Sequence, residues 1–409
     1  MNFPQMYKVK QKLYAAAVED VPTYLRQRLA AFALPDDLRG QRICLTAGSR
    51  GIANIAVILR TLVEEIERRG GKPFLVPAMG SHGGATAEGQ VHLLEGLGIT
   101  GAAVGAPIKA TLEVVELGTT PEGFPIYLDR HAAEAEGIVV VNRIKKHTDF
   151  TAELESGLMK MMAIGLGKRA QAEIVHSHRG WGLRHIMPAV ARGILQHAPI
   201  LLGLAILENG YGQTADLVPL APEEMEEREK RLLVQVKKHL PRLPFEELDV
   251  LIVEEMGKDI SGTGMDTNVL GRLMLHDEPE LESPRILVVA VLDLTPASHG
   301  NAAGLGLADL TTQQLIDQVD FTVTNTNVLV SGFIERGRTP MVLPTEEEVL
   351  QAALHTVRWK SPSEVRLVRI RNTSRLDELL VSEALLAEVE ANPDLELVGP
   401  VEGMGKLRP

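Results

Sequence analysis

From about residue 41 to residue 147 the chain alternates short apolar runs with stretches of helical spacing, and this alternation limits the fold more than any other feature. "RICLTAGSRG" reads as a buried strand entering a glycine-bearing loop, and "NIAVILRTLVEEIERRGG" follows with helical period and a glycine stop. "KPFLVPAMGSHGG" repeats the strand and loop, "AEGQVHLLEGLGI" the helix, and "GIVVVNRIKKH" is a third strand ending in polar residues. A β–α–β–α–β order requires a largely parallel sheet with right-handed crossovers. In such sheets ligands lie beyond the carboxyl ends of the strands.

The remainder extends this pattern. "PILLGLAILENGYGQTADLVPL" reads as strands around a turn. "APEEMEEREKRLLVQVKKHLPRLP" is a charged helix, acidic early and basic late as the helix dipole favours, and it runs into a proline-rich joint. A new apolar strand, "LDVLIVEEMG", starts beyond it. At 409 residues the chain is long for one core. The expected division is an N-terminal domain over 1–242 and a C-terminal α/β domain over 243–409, with largely parallel or mixed sheets and a cleft between the domains holding the site.

Composition narrows the function classes. A net charge of −12 with no basic stripe argues against nucleic acid. No run approaches the roughly 18 apolar residues of a membrane span. The single cysteine, Cys44, excludes an internal disulfide and cysteine-rich metal sites, and a reducing cytoplasm is the expected compartment.

Three expected strands end in reactive groups: Arg50 after the first, His82 after the second, His147 after the third. Arginine offers a fork for a carboxylate, and histidines transfer protons near neutral pH. Each also has a plainer reading, as a surface ion pair, a turn residue or a solvated residue after the basic pair Lys145–Lys146. "SGLMKMMAIGLG" then places Lys160 inside an apolar run. A lysine there is costly to bury charged. It is either a helix-edge residue whose stem covers apolar surface, or a lysine of lowered pKa fit to be a nucleophile, a base or a point of attachment. His176 follows 16 residues on, with His178 beside it. One straight helix would hold Lys160 and His176 roughly 24 Å apart, so a shared site requires a turn near Gly165 to Gly167.

In this arrangement the chain resembles the nickel-pincer lactate racemase family of 2-hydroxy-acid racemases and epimerases. The family's arginine, two histidines, lysine and further histidine are matched in order by Arg50, His82, His147, Lys160 and His176, with 32 residues from Arg50 to His82 and 13 from His147 to Lys160. "SGLMKMMAIGLG" is similar to the family's Ser-Gly-x-x-Lys segment.

The resemblance implies a pyridinium-3,5-bisthiocarboxylic acid mononucleotide joined to Lys160 as a thioamide and carrying nickel, with His176 as the protein's metal ligand. His178 is the fallback. Lys168 is expected to be dispensable for attachment. Arg50 and Lys258 would bind the substrate, a small 2-hydroxy acid. His82 and His147 would be its acid and base. Ser49, Gly83, Gly84, Asp266 and Asn268 would contact the cofactor. Arg272 and His299 are further loop candidates of the second domain. A thioamide has lost the lysine's charge, so apolar surroundings no longer oppose it. The chain departs from the family at Ala47 and Gly51, where an acidic residue and a proline are common. Two alternatives stand beside racemisation: the same cofactor used for another redox or lyase reaction on a hydroxylated acid, and a non-catalytic protein binding an anionic metabolite or the cofactor. Self-association of the chain is left open.

Overall fold

The computed structural model describes residues 3–32, 34–276 and 278–407. The chain forms two compact units, one spanning Ala15–Leu240 and one made of Met1–Tyr14 with Pro241–Pro409. The first strand, β1 (Met6–Gln11), therefore falls outside the expected N-terminal domain. It lies between two strands of the other unit's sheet. Its Met6 and Val9 point into two different core clusters, so it is buried on both faces.

The 15–240 unit is built on β2 (Arg42–Ala47), β3 (Lys72–Pro77), β6 (Gly137–Arg143), β7 (Ile200–Glu208) and β8 (Thr214–Leu220), in the order β3-β2-β6-β7-β8. The first four run parallel and β8 returns antiparallel to β7. Strand alternation divides the core in two. Ile43, Leu45, Val139 and Val141 join one cluster, while Cys44, Ile138 and Val140 join the other. Helices α1 (Val21–Ala30) and α2 (Ile55–Arg68) cover the first face. Between β3 and the next elements lies helix α3 (Ala87–Gly96), and β4 (Val114–Thr119) pairs with β5 (Pro125–Asp129) as a separate hairpin. Helices α4 (Lys168–Ser177), α5 (Met187–His197) and α6 (Met225–His239) line the second face. Along α6 the buried residues are Met225, Glu229, Leu232, Leu233 and Val236, an apolar stripe at helical spacing with one carboxylate in it.

The other unit carries an eight-stranded mixed sheet. It joins β9 (Glu247–Val253), β10 (Arg285–Val291), β11 (Leu310–Thr312), β12 (Met341–Leu343), β13 (Leu367–Asn372), β14 (Arg375–Ser382) and β15 (Leu395–Val401) with β1, in the order β12-β11-β10-β9-β13-β14-β1-β15. The strands from β12 to β13 are parallel and those from β14 to β15 antiparallel. A helix over Glu346–Thr356 starts with a Thr345–Glu348 capping box. Among the described residues, no helix is long and apolar enough to cross a membrane.

Candidate active site

The sheet order arranges the three reactive loops. β2 lies between β3 and β6, all three parallel, so the loop of Arg50 leaves the sheet edge between those of His82 and His147. Two inter-strand spacings, about 10 Å, separate the outer pair of strands. The loops are tied to one another. Ser49 Oγ and His82 Nδ1 are 2.5 Å apart. Glu208, at the end of β7, accepts from the Ala53 amide at 2.8 Å and forms an ion pair with Arg143. Gly83 has φ +64, and a Cβ there would lie 2.6 Å from backbone atoms of Gly89 and Gln90, so the bend after His82 requires glycine. Gly84 has φ +65 and open space around it.

Arg50 is exposed. The surrounding protein nonetheless lowers its pKa by desolvation, with Arg143 adding to the effect and Asp149 opposing it. His147 is held on three sides. Its amide donates to Glu155 Oε2 at 2.6 Å, its Nδ1 accepts from the Asp149 amide at 3.0 Å, and its Nε2 lies 2.5 Å from Lys160 Nζ. Its ring stands 4.7 Å from that of Phe150. A backbone amide only donates, so Nδ1 is bare and the neutral ring carries its proton on Nε2. That proton needs an acceptor on Lys160, which an amine is and an ammonium is not. The surroundings favour the amine: burial lowers the Lys160 pKa from 10.5 to about 8, Arg50 adds to this, and Asp149 and Glu155 oppose it.

Beyond Lys160 the backbone widens into a π-helical turn over Met161–Leu166, a geometry that recurs at functional positions. The chain then breaks. Lys168 takes φ +54 and α4 starts in a new direction, so the segment from Lys160 to His176 is no straight helix. His176, on α4, is exposed, and solvation loss lowers its pKa to about 4, with Lys160 adding to the shift and Asp149 opposing it. His178 faces elsewhere. Its Nδ1 meets the Ile174 carbonyl at 3.0 Å, and its ring stacks edge-on against Phe124 at 5.3 Å. Lys168 is wholly buried and contacts the Pro77 carbonyl at 2.5 Å, Gln90 Oε1 at 3.1 Å and Asp129 Oδ2 at 3.2 Å. It is thus part of the core and not the dispensable surface lysine that the sequence led us to expect.

The structure brings Arg50, His147, Lys160 and His176 into one electrostatic neighbourhood, with Asp149 acting on all four. Ser49 and His82 form a second, directly bonded pair on the adjoining loops. The candidates in the other unit have partners there. Lys258 Nζ donates to the Gly262 carbonyl at 2.7 Å. Asp266 caps the turn Thr267–Leu270, accepting from the Asn268 amide at 3.0 Å and its side chain at 2.9 Å. Arg272 bonds Asp309 at 2.8 Å and nearby carbonyls, and His299 has a left-handed backbone after Pro296–Ser298. Asp149, Glu155, Arg143 and Glu208 were missed by the sequence reading. Only the proximity of Asp149 and Glu155 to His147 in the chain offered a signal.

Among the described residues, no cluster of three or more His, Cys, Asp or Glu side chains is arranged to hold a metal by itself. A nickel-bearing nucleotide asks less of the protein: one amine to acylate and one neutral imidazole. Lys160 and His176 have those properties.

Residues 40–185 match the family described as the lactate racemase N-terminal domain. By this segment the chain belongs to the lactate racemase family. The matched residues lie wholly within the 15–240 unit and include Arg50, His82, His147, Lys160 and His176. Two solved structures are similar to this racemase-family chain. A protein from Thermotoga maritima has 12% identity and TM-score 0.47, over 68% of this chain and 72% of that one. The lactate racemase apoprotein from Thermoanaerobacterium thermosaccharolyticum has 13% identity and TM-score 0.46, over 93% and 90%. No curated protein matches the sequence.

Proposed function

We propose that this racemase-family protein racemises or epimerises a small 2-hydroxy acid, using a nickel pincer nucleotide attached to Lys160. The observation that carries the reading is the contact of Lys160 Nζ with His147 Nε2 at 2.5 Å, inside the segment that matches the lactate racemase domain. When bound, the group supplies a hydride acceptor and donor at the substrate's Cα. Arg50 pairs with the substrate carboxylate through its guanidinium fork. His147 and His82, on loops to either side of Arg50, serve the two faces of the substrate and exchange the hydroxyl proton. Acylation turns the Lys160 nitrogen from an acceptor into an amide N–H donor. His147 Nε2 then loses its acceptor and is left to a substrate hydroxyl. His176, neutral near physiological pH, gives its lone pair to the metal.

The test is the intact mass and nickel content of protein made with and without the cofactor-synthesis enzymes, together with interconversion of D- and L-2-hydroxy acids by chiral chromatography. The expected result is a mass adduct and bound nickel in wild type and in Lys72→Ala, an exposed lysine of β3, and loss of both in Lys160→Ala. An adduct that survives Lys160→Ala would overturn the attachment. Loaded protein that leaves every 2-hydroxy acid unchanged would overturn the reaction.

A further inference from the structure

Helix α6 holds the backbone behind both partners of the His147–Lys160 contact. Glu229 is almost wholly buried, and its carboxylate accepts from the Met159 amide at 3.0 Å, with the Leu158 amide as a second donor. These amides open the turn that carries Lys160. The approach is so close that a Cβ on Gly157 would lie 2.1 Å from Glu229 Oε1. Eight residues further along α6, about 12 Å at helical rise, Lys237 Nζ pairs with Glu155 Oε1 at 2.6 Å. Glu155 is also buried, and its other oxygen holds the His147 amide. Its Oε1 takes the Ala152 amide as well, which closes the loop between them.

We propose that α6 is the positioning element of the His147–Lys160 pair, fixing the turn of Lys160 through Glu229 and the backbone of His147 through Lys237 and Glu155. This rests on the reading of His147 and Lys160 as working residues. Glu229 and Lys237 touch neither the amine nor the imidazole, so both are positioning residues. The charges that act on the Lys160 amine are Asp149, Arg50 and Glu155. Loss of Glu229 therefore reaches the amine by moving it. An amine released toward water regains the ordinary lysine pKa of 10.5.

The experiment labels the full-length protein, prepared without cofactor, with a limiting acetyl N-hydroxysuccinimide ester across the neutral to alkaline range. Mass spectrometry of the Lys160 peptide gives the rate at each pH. Wild type should reach half its limiting rate near pH 8. Glu229→Ala and Gly157→Ala should move that midpoint toward the ordinary value and lower the rate at pH 8 by about tenfold or more. Glu229→Gln, which keeps an acceptor for both amides, should retain the wild-type profile. Leu232→Ala removes buried packing from α6 and leaves both grips in place, so it should lower the thermal midpoint and leave the profile alone. A folded Glu229→Ala or Gly157→Ala protein with the wild-type profile overturns the proposal, as does a Leu232→Ala protein shifted equally far. If neither alanine variant folds, Lys237→Met decides, since Lys237 is partly exposed: a raised midpoint supports the proposal and an unchanged one overturns it. The readout needs no cofactor, so a missing adduct would defeat the functional reading and leave this result intact.

Discussion

Lys168 follows Lys160 by eight residues and has a different task. It starts α4 with a left-handed backbone and buries its ammonium beside Asp129, itself fully buried, and Gln90. Gln90 in turn donates to the Gly80 carbonyl at 3.0 Å in the loop of His82. Lys168 thereby connects the helix of His176 to the loop of His82. Removing one partner of a buried pair strands the other's charge, at a cost of about 3–5 kcal/mol. Lys168→Ala should lower the thermal midpoint by roughly 10 °C, measured by calorimetry. An unchanged midpoint would show that the pair contributes nothing to the fold. At this scale the sequence was legible where chemistry follows a strand end, as for Arg50, His82 and His147. It was silent on Lys168, because nothing local marks a lysine whose partners lie some 40 to 90 residues back in the chain.

At the level of elements, α6 was readable as a helix and misleading as an environment. Its acidic start and basic end describe a solvated rod, yet Glu229 falls in the apolar stripe with Met225, Leu232, Leu233 and Val236. That position in the stripe was the available clue, and it needed the helix face to be tracked residue by residue. Burial raises the Glu229 pKa from 4.5 to about 7, against the lowering effect of the Met159 and Leu158 amides. The folded value lies above the unfolded one, so the folded protein binds the extra proton between these values. The linked stability is complete below pH 4.5 and lost as pH rises through 7. Denaturant unfolding of wild type and Glu229→Gln over this window should show a downward slope in wild type that the variant lacks. Parallel curves would place the ionisation of Glu229 elsewhere. The break after the π-helical turn was legible as a need for a turn, and Gly165 to Gly167 marked its place to within a residue of Lys168.

For the whole molecule, the parallel half of each sheet was visible in the apolar runs, and the antiparallel half of the larger sheet was not. β1 reads as an isolated polar N-terminal stretch because its partners, β14 and β15, lie more than 350 residues away. Deleting residues 1–14 would leave those two strands without the one between them and expose the two core clusters that Met6 and Val9 enter. Limited proteolysis and hydrogen exchange should then show the 241–409 region opened and the 15–240 unit still protected. Equal protection of both would mean that the larger sheet closes without its N-terminal strand.

The same strand bears on how the protein is made. The ribosome delivers β1 among the first residues and β15 among the last, so one strand waits for nearly the whole of translation before its neighbours exist. The 15–240 unit has no such dependence and holds all its own strands. Vectorial synthesis thus completes the racemase-family unit while its companion is still missing half of its sheet, and the waiting strand is the segment for which a nascent-chain chaperone has the longest opportunity to bind.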